Sequence, residues 1–379
     1  MKYIFKKKLY KFLMPILDGL GGVLFWFSKS KNRDISDAPE SVLIVRLDHI
    51  GDVLLSTAVP KAIKENFPRS RVIFLTASWS APLLQGNPFV DEVIQFDPPW
   101  FSKMRYERNP KAYRFWGLLK VLRQRKIDLA IGLRGDLREN WLMFLAGIKE
   151  RVGYGITGGS FLLTKEVVYA YGAHESEHQK DLLRAIGIKA SSMEPAIYLS
   201  ANENINFEKR LERMELPPGQ KFICFLLGAG APSKEWPVEN TEKFLEDFNR
   251  RYKQYKVVLV GSSQRILNRL KVKNASYILN LVGETSLREL CLLAKRSAFF
   301  IGPDSGPTHI AAALNAPTLF LYSGTNVYDQ WKSLAETASA LRHEVSCSPC
   351  GLDSCPVSGH PCMSQILPET VLKALENKL

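Results

Sequence analysis

The chain has 379 residues, 46% of them hydrophobic and 23% charged. That is enough apolar material for two ordinary domain cores and too much for a disordered or collagen-like chain. Its 51 Lys and Arg against 38 Asp and Glu leave a net charge of +13, which favours polyanionic partners: nucleic acid, anionic lipid head groups or phosphorylated sugars.

The first 33 residues stand apart. Lys2, Lys6, Lys7, Lys8 and Lys11 precede an apolar stretch, 12–27, interrupted by Pro15, Asp18, Gly21 and Gly22. A membrane-spanning helix needs about 20 predominantly apolar residues, so residues 1–33 read as a segment lying on an anionic membrane surface. The alternative is a helix packed on the protein's own surface. No small-residue cleavage site follows the basic N-terminus, so a secretory leader is not expected. The reading is cytoplasmic, where the six cysteines stay reduced.

Strand and helix signals then alternate. Short apolar runs at 42–47, 71–76, 93–96 and 129–133 predict strands, with helical patterns at 55–66, 112–124 and 179–186. A second series has strands at 222–227, 257–260, 299–301 and 318–322, separated by helical patterns at 238–252, 287–295 and 308–314. Buried strands alternating with helices predict parallel sheets covered on both faces. Two series predict two α/β domains, 40–205 and 215–379, divided within the polar stretch 200–220 that contains Pro217, Pro218 and Gly219.

Three strand-to-helix junctions carry candidate chemistry. After the first strand comes Arg46-Leu-Asp-His-Ile-Gly-Asp52-Val. Ligands bind at the carboxyl ends of strands in open α/β sheets, so Asp48 and Asp52 sit where a general base is useful. Gly51 would let the turn tighten. The competing reading is an aspartate that caps the next helix. Leu227-Gly-Ala-Gly-Ala-Pro-Ser-Lys234 follows a second-series strand. It presents backbone N–H groups and one lysine to a phosphate, without the ending of a Walker A loop. Gly302-Pro-Asp304-Ser305-Gly306-Pro307-Thr308-His309 opens a helix. Asp304 or Ser305 could cap it, leaving the N–H groups of Ser305, Gly306 and Thr308 aimed at an anion, unless the helix is simply well capped.

These motifs, in this order, resemble glycosyltransferase family 9, the lipopolysaccharide heptosyltransferases. The matching segments are VLIVRLDHIGDVLLSTAVPKAIKENFP, RVGY at 151–154, LLGAGAPSKEWP, NLVGETSLREL, GPDSGPTHIAAAL and the tail CSPCGLDSCPVSGHPCMSQILPETVLKAL. The resemblance implies a GT-B fold: two Rossmann-like domains whose parallel sheets face a central cleft, acceptor bound by the first and nucleotide sugar by the second. It implies inversion at the anomeric carbon with no metal or cofactor required for catalysis. Asp52 matches the family's catalytic base. Arg46, Asp48 and Arg134 are the expected acceptor contacts. Ala229, Gly230, Lys234, Asp304, Ser305, Gly306, Pro307 and His309 are the expected donor contacts. The implied donor is ADP-heptose, and the acceptor a lipid-linked anionic saccharide such as the lipopolysaccharide core. The implied location is the cytoplasmic face of the inner membrane. One departure stands out: where members often carry an acidic residue contacting the nucleoside, this chain has Gly261-Ser-Ser-Gln264-Arg265. A related enzyme using another nucleotide sugar is the alternative. A non-enzymatic basic module binding membrane or nucleic acid is a further one.

Three other signals bear on the reading. His174-Glu175-Ser176-Glu177-His178 matches the zincin pattern. A helix starting at Glu177 would separate the two imidazoles, so no protease zinc is expected. Cys347, Cys350, Cys355 and Cys362 are compact enough for a structural Cys₄ zinc or iron–sulfur site, with reduced structural thiols as the alternative. Arg105, Arg108, Lys111, Arg114, Lys120, Arg123, Arg125 and Lys126, interleaved with Tyr106, Tyr113, Phe115 and Trp116, form a cationic stretch. No nucleic-acid module accompanies it, and no nucleic acid is expected as a partner.

Overall fold

The computed structural model describes residues 3, 8–25, 38–101, 113–214, 216–376 and 378. The chain divides into two compact units, Met1–Ala196 and Ile197–Leu379, and each is an α/β unit as expected.

The first unit holds six parallel strands: β1 Ser41–Arg46, β2 Arg71–Thr76, β3 Glu92–Gln95, β4 Leu129–Gly132, β5 Glu150–Gly153 and β6 Lys165–Glu166. Their order across the sheet is β3-β2-β1-β4-β5-β6. Its helices are α1 Lys8–Leu24, α2 Ile50–Leu55, α3 Val59–Asn66, α4 Phe115–Gln124, α5 Leu137–Leu145 and α6 Glu175–Ala185. The second unit holds β7 Phe222–Leu227, β8 Lys256–Gly261, β9 Ile278–Asn280, β10 Phe299–Pro303, β11 Thr318–Tyr322 and β12 Ala338–Arg342. Its helices are α7 Ala201–Arg213, α8 Val238–Arg251, α9 Gln264–Leu267, α10 Leu287–Arg296, α11 Gly306–Ala313, α12 Tyr328–Trp331, α13 Pro361–Ser364 and α14 Pro368–Glu376. The sheet order is β12-β11-β10-β7-β8-β9, again wholly parallel.

Counted from its own first strand, each sheet has the doubly wound order 3-2-1-4-5-6 of a Rossmann fold. The strand order reverses between β1 and β4 in the first unit and between β7 and β10 in the second. Crossovers leave those junctions toward opposite faces and open a crevice at the strand ends. The registers place the ends level: Val45 pairs with Gly132, and Ile301 with Phe225. Central strands are buried throughout because helices cover both faces. Leu43, Val45, Ile73 and Leu75 pack with Leu118, Leu122 and Met143 on one face of the first sheet.

Several elements depart from expectation for identifiable reasons. The predicted helix 55–66 is two helices, α2 and α3, joined by a 3₁₀ turn at Ser56–Ala58. There Ser56 Oγ donates to the Asp52 carbonyl (2.9 Å) and Thr57 Oγ1 to that of Leu54 (2.7 Å), and Pro60 follows. The helical path starts at Ile50, so Gly51 lies within α2 and not in a left-handed turn. α6 begins at Glu175, before both 177 and 179. β5, β6, β9 and β12 carried no β-branched run long enough to read as strands. α7 occupies most of the polar stretch 200–220; a Ser200/Glu203 capping box starts it and Phe207 and Leu211 bury its inner face.

α1 is continuous through Pro15 and both glycines. Its inner face docks on the first unit. Asp18 Oδ1 accepts from the Gly159 N–H at 2.7 Å, and a Cβ on Gly21 would lie 2.4 Å from the Phe161 ring. Its outer face leaves Phe12, Ile16, Leu17, Leu20 and Val23 exposed. Among the described residues no helix is long and apolar enough to cross a membrane. Lys2, Lys6 and Lys7 lie outside the described residues, as does 102–112 with Arg105, Arg108 and Lys111.

Candidate functional site

At the first switch point, β1 ends in Arg46, whose side chain is buried by the cover on both faces of the sheet. Its Nη2 donates to Asp52 Oδ1 at 2.8 Å and to Glu175 Oε1 at 2.9 Å, and its Nη1 donates to the Leu133 carbonyl at 3.0 Å. Arg46 Nε lies 3.7 Å from Asp48 Oδ2. Burial works against the guanidinium charge, but Glu175, Asp52 and Asp48 outweigh it and hold the group above its ordinary range. Every one of these contacts is internal, and through them Arg46 organises the carboxylates around it.

Asp52 is the third residue of α2, and its carboxylate bonds Arg46 and caps nothing. Its side chain is 14% exposed, and among the described residues Oδ2 has no hydrogen-bond partner. Asp48 is more deeply buried. Burial, with the Asp52 charge beside it, pushes its carboxyl above the usual range against the pull of Arg134 and Arg46. Arg134, just past β4, reaches Asp48 Oδ2 at 3.4 Å and donates to the Leu47 carbonyl at 3.0 Å. The three residues named for the acceptor thus do converge around Asp52.

Sequence reasoning missed two members of this cluster. Glu175 had been noted only as part of a metal pattern. Glu139, in the first turn of α5, is fully buried with neither carboxyl oxygen hydrogen-bonded among the described residues. The His-Glu-x-x-His histidines diverge: His174 Nδ1 accepts from the Ser176 N–H as the α6 cap, while His178 faces Glu175 and the Ala170 carbonyl.

At the second switch point, β7 ends at Leu227 and β10 at Pro303. Gly228 has φ +85°, and a Cβ there would strike Ser263. Gly302 is held to glycine because a Cβ would lie 2.6 Å from Thr308 Oγ1. The Pro232–Lys234 turn aims Lys234 back at the other strand end. Its Nζ lies 3.0 Å from Asp304 Oδ2 and 3.1 Å from the Asp304 carbonyl. Lys234 is only 18% exposed. A lysine has three N–H donors, so one remains for a ligand oxygen.

Asp304 also accepts from Asn326 Nδ2 at 2.9 Å, and its Oδ1 lies 3.2 Å from His309 Nε2. Burial opposes its charge, but His309 and Lys234 outweigh burial and hold the carboxyl at about 2. Neither Asp304 nor Ser305 caps α11 by its side chain. The Thr308 N–H, expected to be free, donates to the Ser305 carbonyl at 3.1 Å. Those of Ser305 and Gly306 have no acceptor among the described residues, and Pro307 occupies the first turn. Ala229 and Gly230 lie in the same loop, with open space beside Gly230. Asn326, just past β11, is a further residue the sequence reading did not name. In the divergent 261–265 segment, Gln264 donates to the Val282 carbonyl at 3.0 Å and Arg265 pairs with Glu235.

Cys347, Cys350, Cys355 and Cys362 line one cavity with Ser233 and His360. All are free thiols, and among the described residues no group of three or more His, Cys, Asp or Glu is arranged to hold a metal. Their loop buttresses the lysine turn. The Ser233 N–H donates to the Asp353 carbonyl at 3.0 Å, Ser233 Oγ to that of Leu352 at 2.6 Å, and His360 Nε2 lies 2.9 Å from the Ser233 carbonyl. In the basic stretch, Arg125 pairs with Glu92 and Arg123 donates to the Leu145 carbonyl, so neither guanidinium is held open for a polyanion.

The sequence profile of Glycosyltransferase family 9 (heptosyltransferase) matches residues 115–359. Lipopolysaccharide heptosyltransferase 2 of Escherichia coli K12 is 25% identical over 356 residues, covering 88% of this chain and 97% of that protein. A family 9 glycosyl transferase from Veillonella parvula superposes with a TM-score of 0.75 at 20% identity, covering 92% of this chain and 98% of that one. E. coli ADP-heptose LPS heptosyltransferase II gives 0.67 at 22% identity, with 89% and 98% covered.

Proposed function

We propose a reaction from one premise: the chain belongs to glycosyltransferase family 9, the heptosyltransferases, and is a glycosyltransferase. It moves a heptose from a nucleoside-diphosphate sugar, ADP-heptose, to a hydroxyl of a lipid-linked anionic saccharide of the lipopolysaccharide core. The names carried by its relatives support donor and acceptor alike. The observation that carries the reading is a division of chemistry between two switch points. One presents a carboxylate with an open oxygen, Asp52. The other presents Lys234 and the N–H groups of Ser305 and Gly306, which have no acceptor among the described residues.

The step follows from these groups. Asp52 Oδ2 takes the proton of the acceptor hydroxyl as its oxygen attacks the anomeric carbon. The carbon–oxygen bond to the diphosphate breaks on the opposite side, so the configuration inverts. Charge growing on the leaving diphosphate is met by Lys234 and by the N-terminus of α11. These donors neutralise it without assigning a step to a metal. Asp304, fixed by His309 and Asn326, keeps the ammonium aimed. Asp48 and Arg134 border Asp52 and are assigned to the acceptor, while Arg46 acts through Asp52. The four cysteines, whether as thiols or around a structural zinc or iron–sulfur group, act on the lysine turn and not on the sugar.

The outer face of α1 and the lysines around it fit an anionic bilayer surface. The reading places the enzyme at the cytoplasmic face of the inner membrane, consistent with six unpaired thiols. The experiment is a panel of nucleotide sugars scored for thermal stabilisation and for transfer. ADP-heptose is expected to stabilise and to turn over; a ligand at a hundred times its Kd adds about 2.7 kcal/mol. Stabilisation by a uridine or guanosine diphosphate sugar in its place would reassign the donor, and the divergent 261–265 segment is where that difference would arise.

A further inference from the structure

The helix that carries the discarded metal pattern also reaches the candidate base. Glu175 is the first residue of α6, and its carboxylate is buried against the end of the central strand β1. Glu175 Oε1 accepts from Arg46 Nη2 at 2.9 Å, the same nitrogen that donates to Asp52 Oδ1 at 2.8 Å. Glu175 Oε2 lies 3.2 Å from His178 Nδ1, and His178 Nε2 lies 2.9 Å from the Ala170 carbonyl. Both imidazole nitrogens face oxygen acceptors, an arrangement that suits the doubly protonated ring. The result is a line of alternating charge, His178–Glu175–Arg46–Asp52, running from α6 to α2.

We propose that Glu175 is a positioning residue for Asp52, acting through Arg46, in the reaction proposed above. The inference rests on Asp52 being the base. A guanidinium has planar, fixed donor directions. With Nη1 tied to the Leu133 carbonyl and one hydrogen of Nη2 tied to Glu175, the other Nη2 hydrogen has one direction left, toward Asp52 Oδ1. That fixes the carboxylate plane and leaves Oδ2 for the acceptor proton. Glu175 also divides the positive charge of Arg46 between two carboxylates. An arginine serving Asp52 alone would favour its ionised form more strongly and weaken it as a proton acceptor. The other titratable and charged groups facing the line are Asp48, Glu139, Arg134 and His49 on the Asp52 side, and Asp181 with the neutral phenol of Tyr154 on the Glu175 side.

The test uses the full chain. Glu175→Gln keeps the size and one acceptor oxygen but removes the charge. It is expected to lower kcat about 10-fold or more, a fraction of what a general base contributes. ADP affinity should stay unchanged and the acid limb of the pH–kcat/KM profile should move to lower pH. His178→Gln removes the cation behind Glu175, which then draws more of Arg46, so its acid limb is expected to move the opposite way. This second variant decides the matter if the first does not fold. A Glu175→Gln enzyme with wild-type kcat and an unmoved pH profile, while Asp52→Asn is inactive, overturns the positioning role alone. An active Asp52→Asn enzyme overturns the base assignment beneath it. A lowered Tm with normal kcat and pH profile reduces Glu175 to a packing role and also overturns the proposal.

Discussion

Lys234 and Asp304 sit on loops following different strands, 70 residues apart in sequence, and meet at 3.0 Å at the junction where the second sheet reverses its strand order. Asp304 is almost fully buried and Lys234 mostly so. The pair is therefore a stability element and, in the proposed function, the positive edge of the donor site.

Lys234→Ala is expected to weaken ADP binding and also to cost stability, up to about 3 kcal/mol, because it leaves a buried carboxylate short of a cation. Calorimetry with ADP and chemical denaturation check the two effects separately; unchanged ADP affinity would remove Lys234 from the donor site. The stability effect has a defined pH window. The folded Asp304 carboxyl is depressed to about 2, so its contribution is present above the unfolded value near about 4 and fades as pH falls toward the folded value. The stability gap between wild type and Asp304→Asn, about 2 kcal/mol at neutral pH, should close over that interval.

Asp52→Asn retains size and polarity but cannot take a proton. It should bind ADP nearly as well as wild type and lose turnover by about 10²-fold or more. Asp48→Asn should be milder, because Asp48 is the more buried of the two and is already displaced toward its neutral form. Near wild-type transfer by Asp52→Asn at saturating acceptor would place the base elsewhere.

Glu139 predicts a pH effect of the other sign. Burial pushes its carboxyl well above the ordinary range, and Asp136 and Asp48 add to the shift against Arg134 and Arg46. The folded state therefore keeps a proton that the unfolded chain releases above about pH 4.3. Stability from this group is complete below that pH and is lost as pH rises toward the folded value. Glu139→Gln should be more stable than wild type near neutrality and lose that advantage in acid. Denaturation curves at several pH values decide it; a constant difference would mean that Glu139 does not titrate on unfolding.

Leu17→Glu with Leu20→Glu alters the outer face of α1 and leaves the Asp18 and Gly21 contacts in place. The double variant should keep the wild-type Tm within a few degrees but no longer sediment with anionic vesicles. Wild-type sedimentation should weaken as salt rises. Gly21→Ala should do the reverse, disturbing the packing against Phe161 while leaving the outer face unchanged. Equal sedimentation by the double variant and wild type would show that this face does not touch lipid.

Local pattern determined much of the protein. Runs such as Val42–Val45 and Ile223–Leu226 are continuously apolar because central parallel strands are buried on both faces, and that signature survives in one dimension. The glycine-rich loops lie at the strand ends where the second sheet reverses its order, and the order of the motifs marked the right family. The edge strands β6, β9 and β12 did not read, because a half-covered strand needs no continuous apolar run. What the tertiary structure alone decided was which charges share a partner. Nothing in the spacing of Arg46, Asp52 and Glu175 shows that one guanidinium nitrogen serves two carboxylates 123 residues apart. Nor does it show that the motif read as metal-binding points one of its residues at Arg46, or that Lys234 is engaged by Asp304. These are long-range electrostatic choices made in a medium of low dielectric. They depend on burial and on distances of a few ångströms, which only the folded sheet and its switch points set.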